Sequence, residues 1–141
     1  MIAEPTIAQR SPSFDELEAA IASLPEAVLE TVHHFSPGVY ARELRIPAGV
    51  VLTGKKHRGP CLNFVVGDIG VFNNEGKEQR RITGYECFVS PAGTRRAGLA
   101  YGNTVWTTIH PTDETDLMKI ENEVIEPHHN LLLAGTGRKL L

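Results

Sequence analysis

Glycines and prolines recur at short, regular intervals through the middle of this chain, and such punctuation leaves room only for short strands joined by turns. There are thirteen glycines and nine prolines in 141 residues. Helices are therefore expected only towards the ends. That length, with 41% hydrophobic and 22% charged residues, suits one cored domain with appendages.

The hydrophobic pattern fills in the elements. Residues 1–12 contain two prolines and read as an extended arm. Ser13-Phe14-Asp15-Glu16 matches a capping box, with Phe14, Leu17 and Ile21 on one face of a helix ending near Ala22. Pro25 suits the first turn of a second helix, with Val28, Leu29 and Val32 as its apolar side. From Val39 the period becomes two, and Tyr40, Arg42, Leu44 and Ile46 fall on one side of a strand. Further strands are expected at Val50–Thr53, Leu62–Val66, Ile69–Phe72, Glu78–Ile82, Glu86–Val89, Arg95–Ala100 and Thr104–His110. Gly67-Asp68 reads as a tight turn and Asn73 to Gly76 as a hairpin. About eight short strands imply a sandwich or closed barrel. Thr112 to Asp116 then supplies a capping residue and three acids ahead of a helix with the stripe Leu117, Ile120 and Val124. The tail from His128 reads as a subunit-exchanging arm or a disordered end. The division is an arm with helices over 1–38, a barrel over 39–110, and a helix with tail over 111–141. There is no internal repeat.

The net charge of -3 hides an asymmetry. Residues 39–110 carry ten Lys/Arg against five Asp/Glu, whereas residues 1–38 carry one against six and residues 111–141 three against six. A basic centre fits an anionic ligand, and acidic end helices packed on a basic barrel would use the same charges structurally. The overall balance is too acidic for a binder of long nucleic acid. No apolar stretch approaches the roughly 20 residues that span a bilayer, and the N-terminus lacks a basic region followed by an apolar core. A cytoplasmic protein without membrane contact is the expectation. Cys61 and Cys87 lie in or beside apolar strands without a Cys-x-x-Cys spacing, and read as buried thiols.

Pro47 to Gly67 is the richest stretch: an apolar run, the cluster Lys55, Lys56, His57 and Arg58, and a second apolar run. Strand, loaded loop, strand is the arrangement in which binding groups sit on a rigid sheet. Around it, Gly49, Lys55, His57, Cys61 or Leu62, and Gly67 stand near the places of a first glycine-framed motif. Gly84, Pro91, Gly93, Arg96 and Ala100 stand near those of a second. On these residues the chain resembles the cupin superfamily over roughly 39–110, which implies a double-stranded β-helix barrel. Of the four metal-ligand positions of that family only His57 matches; Lys55, Cys61 or Leu62, and Arg96 stand at the others. The resemblance therefore implies no metal and no other cofactor. With its Val105 to His110 strand and Asp113 to Glu121 segment, the whole chain also resembles small cupin-like proteins of tailed phages and prophages.

Under that alignment Lys55, His57 and Arg96 converge on the barrel mouth, an arrangement suited to phosphate or carboxylate. Trp106, Thr108 and His110 share one face of their strand. Trp106 is a candidate for base stacking, and His57 and His110 for acid and base on a phosphodiester, with Lys55 or Arg96 stabilising developing charge. Trp106 as plain core and His110 as a strand-end histidine is the competing assignment. Tyr40, Arg42, Lys56 and Tyr101 are further ligand-binding candidates, whereas Arg58 and Arg95 read as solvent-facing or ion-paired. The pairs His33-His34 and His128-His129 lack metal-binding spacing.

The resulting expectation is a cupin-like barrel, dimeric or of higher homo-oligomeric order, that binds a cyclic nucleotide or dinucleotide signal. It would cleave that signal as a metal-independent phosphodiesterase in phage counter-defence. The alternatives are sequestration without chemistry, a structural virion role with a non-catalytic barrel, and a residual metal-dependent enzyme using His57 and His110 with Cys61 or an acid.

Overall fold

The computed structural model describes residues 13–72, 78–126 and 135–140. Two helices, α1 (Phe14–Ala22) and α2 (Leu117–Val124), accompany nine strands. These are β1 (Glu26–Val28), β2 (Glu30–Ser36), β3 (Val39–Ile46), β4 (Val50–Thr53), β5 (Cys61–Phe72), β6 (Glu78–Ser90), β7 (Ala97–Ala100), β8 (Thr104–His110) and β9 (Thr136–Lys139). They form one antiparallel sheet ordered β1-β9-β4-β7-β5-β8-β3-β2, with β6 on β5. The two ends of that path, β1 and β2, are consecutive in sequence and separated only by Leu29. The sheet thus wraps into a nearly closed barrel. Leu29, 4% exposed, points into its core beside Leu44, Ile46, Val50, Val65 and Ile69.

The alternation in β3 holds: Tyr40, Leu44 and Ile46 are buried and Arg42 faces inward with them. The second expected helix does not form. Residues 26–28 and 30–36 are strands because β9 and β3 offer them partners, with buried Leu29 between them beside Val28, which is 84% exposed.

Gly67-Asp68 is likewise no turn. β5 runs through it unbroken and exchanges neighbours there, pairing with β8 over Leu62–Val66 and with β7 over Ile69–Phe72. Gly67 has φ +147°, and a Cβ on it would lie 2.6 Å from the Asn103 carbonyl oxygen. Opposite it in β6 stands Gly84, so the expected strands 78–82 and 86–89 are one bent strand. The bend brings Arg80 and Glu86, six residues apart, into an ion pair. The Asn73 to Gly76 hairpin signal lies outside the described residues.

Ser13 caps α1, whose Phe14 and Ile21 pack with Val51 and Ala97 on the outside of the barrel. Within the expected capping stretch it is Asp116 that caps α2, accepting from the Met118 and Lys119 amides at 3.0 and 3.1 Å. Thr112 instead accepts from Glu114 N–H in the preceding turn. Ile120 of α2, fully buried on Tyr40, contributes about 2 kcal/mol by burial alone. The tail corrects its expectation as well. Residues 136–139 insert as β9 between β1 and β4 of the same chain, and Gly135 passes so close to Thr31 and Leu44 that no side chain would fit there. Cys61 is buried, but Cys87 is exposed on the outer face of β6. No helix among the described residues is long and apolar enough to cross a membrane.

Candidate functional site

Inside the barrel lies a cavity of about 160 Å³. Its floor is the inward face of β3, β8, β5 and β6, on which side chains of alternate residues meet in rows set by the register. Tyr40, His110, Cys61 and Ser90 form one row, and Arg42, Thr108, Asn63 and Phe88 the next. Apolar Leu44, Leu52, Ile69 and Ile125 supply much of the remaining wall.

The second row is knit by Asn63, 3% exposed. Its amide donates to Ser90 Oγ at 2.9 Å, and its carbonyl accepts from Trp106 Nε1 at 2.9 Å and Thr108 Oγ1 at 3.4 Å. Arg96 donates to Ser90 Oγ at 2.6 Å and lies over the Phe88 ring. Such a satisfied network holds the floor in one arrangement. The Trp106 indole edge meets Phe88 in a T-shaped contact, and both pack against the core.

Over one end of this floor runs the loop between β4 and β5. It is pinned on several sides: Gly54 N–H donates to Arg96 O, Gly93 N–H to His57 O, Arg58 N–H to Val124 O and Glu126 N–H to Lys56 O. Its successive side chains alternate. Lys55 and His57 point into the cavity, Lys56 meets Glu126 at 3.5 Å outside, and the Arg58 side chain donates to the Ile125 carbonyl. Lys55 donates to Glu121 Oε1 at 2.6 Å, a carboxylate buried by α2.

His57 and His110 stack with ring centroids 5.3 Å apart. Burial lowers both pKa values to about 4, assisted at His57 by Arg42 and Lys55 and at His110 by His57 and Arg42. Both imidazoles are thus neutral at pH 7. Arg42 enters the same region from β3, and its buried Nε has no hydrogen-bond partner among the described residues. Burial also raises the Cys61 thiol pKa.

The expected residues therefore divide. Lys55, His57, Arg96, Trp106, Thr108, His110 and Arg42 line one cavity. Tyr40 stands behind it, stacked on His110 at 6.1 Å and sharing a 2.7 Å hydrogen bond with His33 Nδ1. Burial pushes its phenol up to about 12. Lys56 faces outward, and Tyr101 carries the Arg81 guanidinium on its ring, away from the cavity. Arg95 is held by Glu18 and by the Phe14 ring of α1. His128 and His129 lie outside the described residues. Asn63, Ser90 and Glu121 escaped the sequence reading. Only Asn63 leaves a trace there, as a lone amide within the apolar run Cys61 to Val66.

No protein-family model and no curated protein sequence matches the chain. Solved structures do. An uncharacterised Klebsiella pneumoniae protein with a double-stranded β-helix domain superposes with a TM-score of 0.51 at 9% identity, over 60% of this chain and 78% of that one. The barrel shares that double-stranded β-helix fold. A variant of the salicylate 1,2-dioxygenase of Pseudoaminobacter salicylatoxidans gives 0.52 at 16% identity, over 70% of this chain and 31% of that one. A cupin domain of Bordetella pertussis gives 0.48 at 17%, over 64% and 97%. The likeness to the Klebsiella and Pseudoaminobacter proteins carries the fold alone.

The donors facing the cavity do not make a metal site. The register turns Cys61, and not Leu62, towards the cavity with His57 and His110. Yet Arg42, Lys55 and Arg96 line the same space and no carboxylate does. Among the described residues no group of three or more His, Cys, Asp or Glu could hold an ion. Three cations around two imidazoles and a thiol repel a divalent ion, and the donor set does not fit one.

Proposed function

We propose that this cupin barrel binds a small organic anion in its cavity, with the anionic group against Arg42. The observation that carries the reading is the buried Arg42 Nε, unpartnered among the described residues, in a cavity that no carboxylate lines. A buried guanidinium N–H without an acceptor is costly, and a carboxylate or phosphate oxygen entering the cavity would remove that cost. A volume near 160 Å³ matches a cavity that holds one benzene ring. That size favours a small acid over the nucleotide signal expected from the sequence, and the counter-defence role rests on the nucleotide reading alone. Calorimetric titration with butyrate, benzoate, propylphosphonate and a panel of cyclic mono- and dinucleotides tests this. The small anions should bind, and Arg42→Gln should weaken them at least tenfold. Nucleotides binding more tightly than every small acid would restore the nucleotide ligand, and no heat from any anion would overturn the reading.

One observation favours chemistry in addition to binding. The stacked pair His57 and His110 faces the same cavity, so both imidazoles could serve one phosphodiester as base and acid. With both pKa values at about 4, one protonated and one neutral ring coexist only near that pH. Metal-free cleavage by this pair should therefore peak near pH 4 and fade towards neutrality. Chromatography of cyclic nucleotides incubated with EDTA-treated protein should then yield linear products that vanish in His57→Ala and His110→Ala. Intact nucleotide recovered at every pH would leave binding without chemistry.

A further inference from the structure

We infer that the ligand carries two anionic groups, one held by Arg42 and the other by Arg96; this rests on the anion-binding reading above. The two arginines enter from opposite edges of the cavity floor. Arg42 projects from β3, while Arg96 donates to Ser90 at the end of β6 and lies over Phe88 of the same strand. Between β3 and β6 stand β8 and β5, so the flanking backbones are three strand spacings apart, about 14 Å.

Their electrostatic neighbourhoods are separate as well. Arg42 acts on His33, His57, His110 and Lys55 and is acted on by Tyr40 and Glu121, whereas Arg96 acts on Cys61 and is itself acted on by Arg80. Lys55 has Glu121 as its carboxylate, and Arg80 has Glu86. Neither Arg42 nor Arg96 makes a direct ion pair among the described residues; Glu121 acts on Arg42 only from a distance, its Oε1 being taken by Lys55, which leaves one positive pole at each side. The side chains between the poles are uncharged at neutral pH: Thr108, His110 and Asn63, with the Cys61 thiol pushed upward by burial. A monoanion would satisfy one pole and leave the other facing the apolar wall. A short dicarboxylate, or a carboxylate joined through two or three carbons to a phosphate or phosphonate, satisfies both within the available volume.

Competition calorimetry on the full chain tests this with two-ended probes, glutarate and 3-phosphonopropanoate, against one-ended butyrate and propylphosphonate. Glutarate should bind at least tenfold more tightly than butyrate. Arg96→Gln should weaken glutarate at least tenfold more than it weakens butyrate, and Arg96→Lys, which keeps the charge if the glutamine variant misfolds, should retain part of the difference. The ranking of glutarate against 3-phosphonopropanoate tells carboxylate from phosphate chemistry at the second pole. Equal affinity of butyrate and glutarate for the native protein, or an Arg96→Gln effect equal on both, overturns the two-pole inference and leaves anion binding at Arg42 standing. Failure of all four probes removes both.

Discussion

Lys55 Nζ meets Glu121 Oε1 at 2.6 Å, so the loop that carries His57 is held by α2 through a carboxylate only 1% exposed. Removing one partner of a buried pair strands the other's charge. Glu121→Ala should therefore cost about 3–5 kcal/mol, read from the denaturant midpoint at unchanged slope. Glu121→Gln, which keeps the shape and a hydrogen-bond acceptor, should cost less. A loss below about 1 kcal/mol in the alanine variant would mean that the pair is solvated.

Acid should weaken the fold through His57 and His110. A histidine whose folded pKa lies below its unfolded value, here about 4 against about 6.5, stabilises the folded state fully above pH 6.5. That contribution is lost as pH falls from 6.5 to 4, at up to roughly 1.4 kcal/mol for each pH unit and each group. Tm measured over this window should drop steeply, and His57→Gln and His110→Gln should flatten the slope. Imidazole NMR signals titrating near pH 6.5 would contradict the burial that lowers both.

The thiols should separate cleanly. Cys87 is exposed and Cys61 is buried against the Asn63 network. An aromatic disulfide reagent should label one thiol per chain within minutes and the second only on unfolding. Cys87→Ser should abolish the fast phase, and two fast thiols would show that the cavity floor opens readily.

At the corner of β5, Gly67→Ala should be among the costliest single-methyl additions in the chain. The added carbon would meet the Asn103 carbonyl oxygen and the Thr104 Cα, both at 2.6 Å, and neither backbone atom can move aside cheaply. A loss of about 3 kcal/mol or more is expected in chemical denaturation. Gly59→Ala, which meets nothing within 4 Å, should change stability by less than about 0.5 kcal/mol.

Several elements were legible before any coordinates. The strands 39–46, 50–53 and 104–110 have the bounds expected of them, and Ser13 caps α1 as its capping box implies. The cavity side chains Arg42, Thr108, Trp106 and His110 followed from the same alternation. Pro25 misled because a proline suits a strand entrance as well as a first helical turn, and only the presence of β9 and β3 favours the strand. Gly67 misled because a glycine required by close approach looks in one dimension like a glycine required by a turn. Tyr40 shares the inward face with Arg42, yet Ile120 and His110 cover it, so facing inward did not mean reaching the cavity.

What the sequence alone determined is the local grammar: where strands alternate, where the chain can bend, and which side chains share a face, because those depend on neighbours a few positions apart. The tertiary structure alone decided which faces meet. It set Glu121 against Lys55 across 66 positions, Asn63 beneath Trp106 across 43, and the tail strand between β1 and β4. Those contacts arise from sheet register and closure, which no short window of residues encodes, and they determine which cations are neutralised and which still face an open cavity.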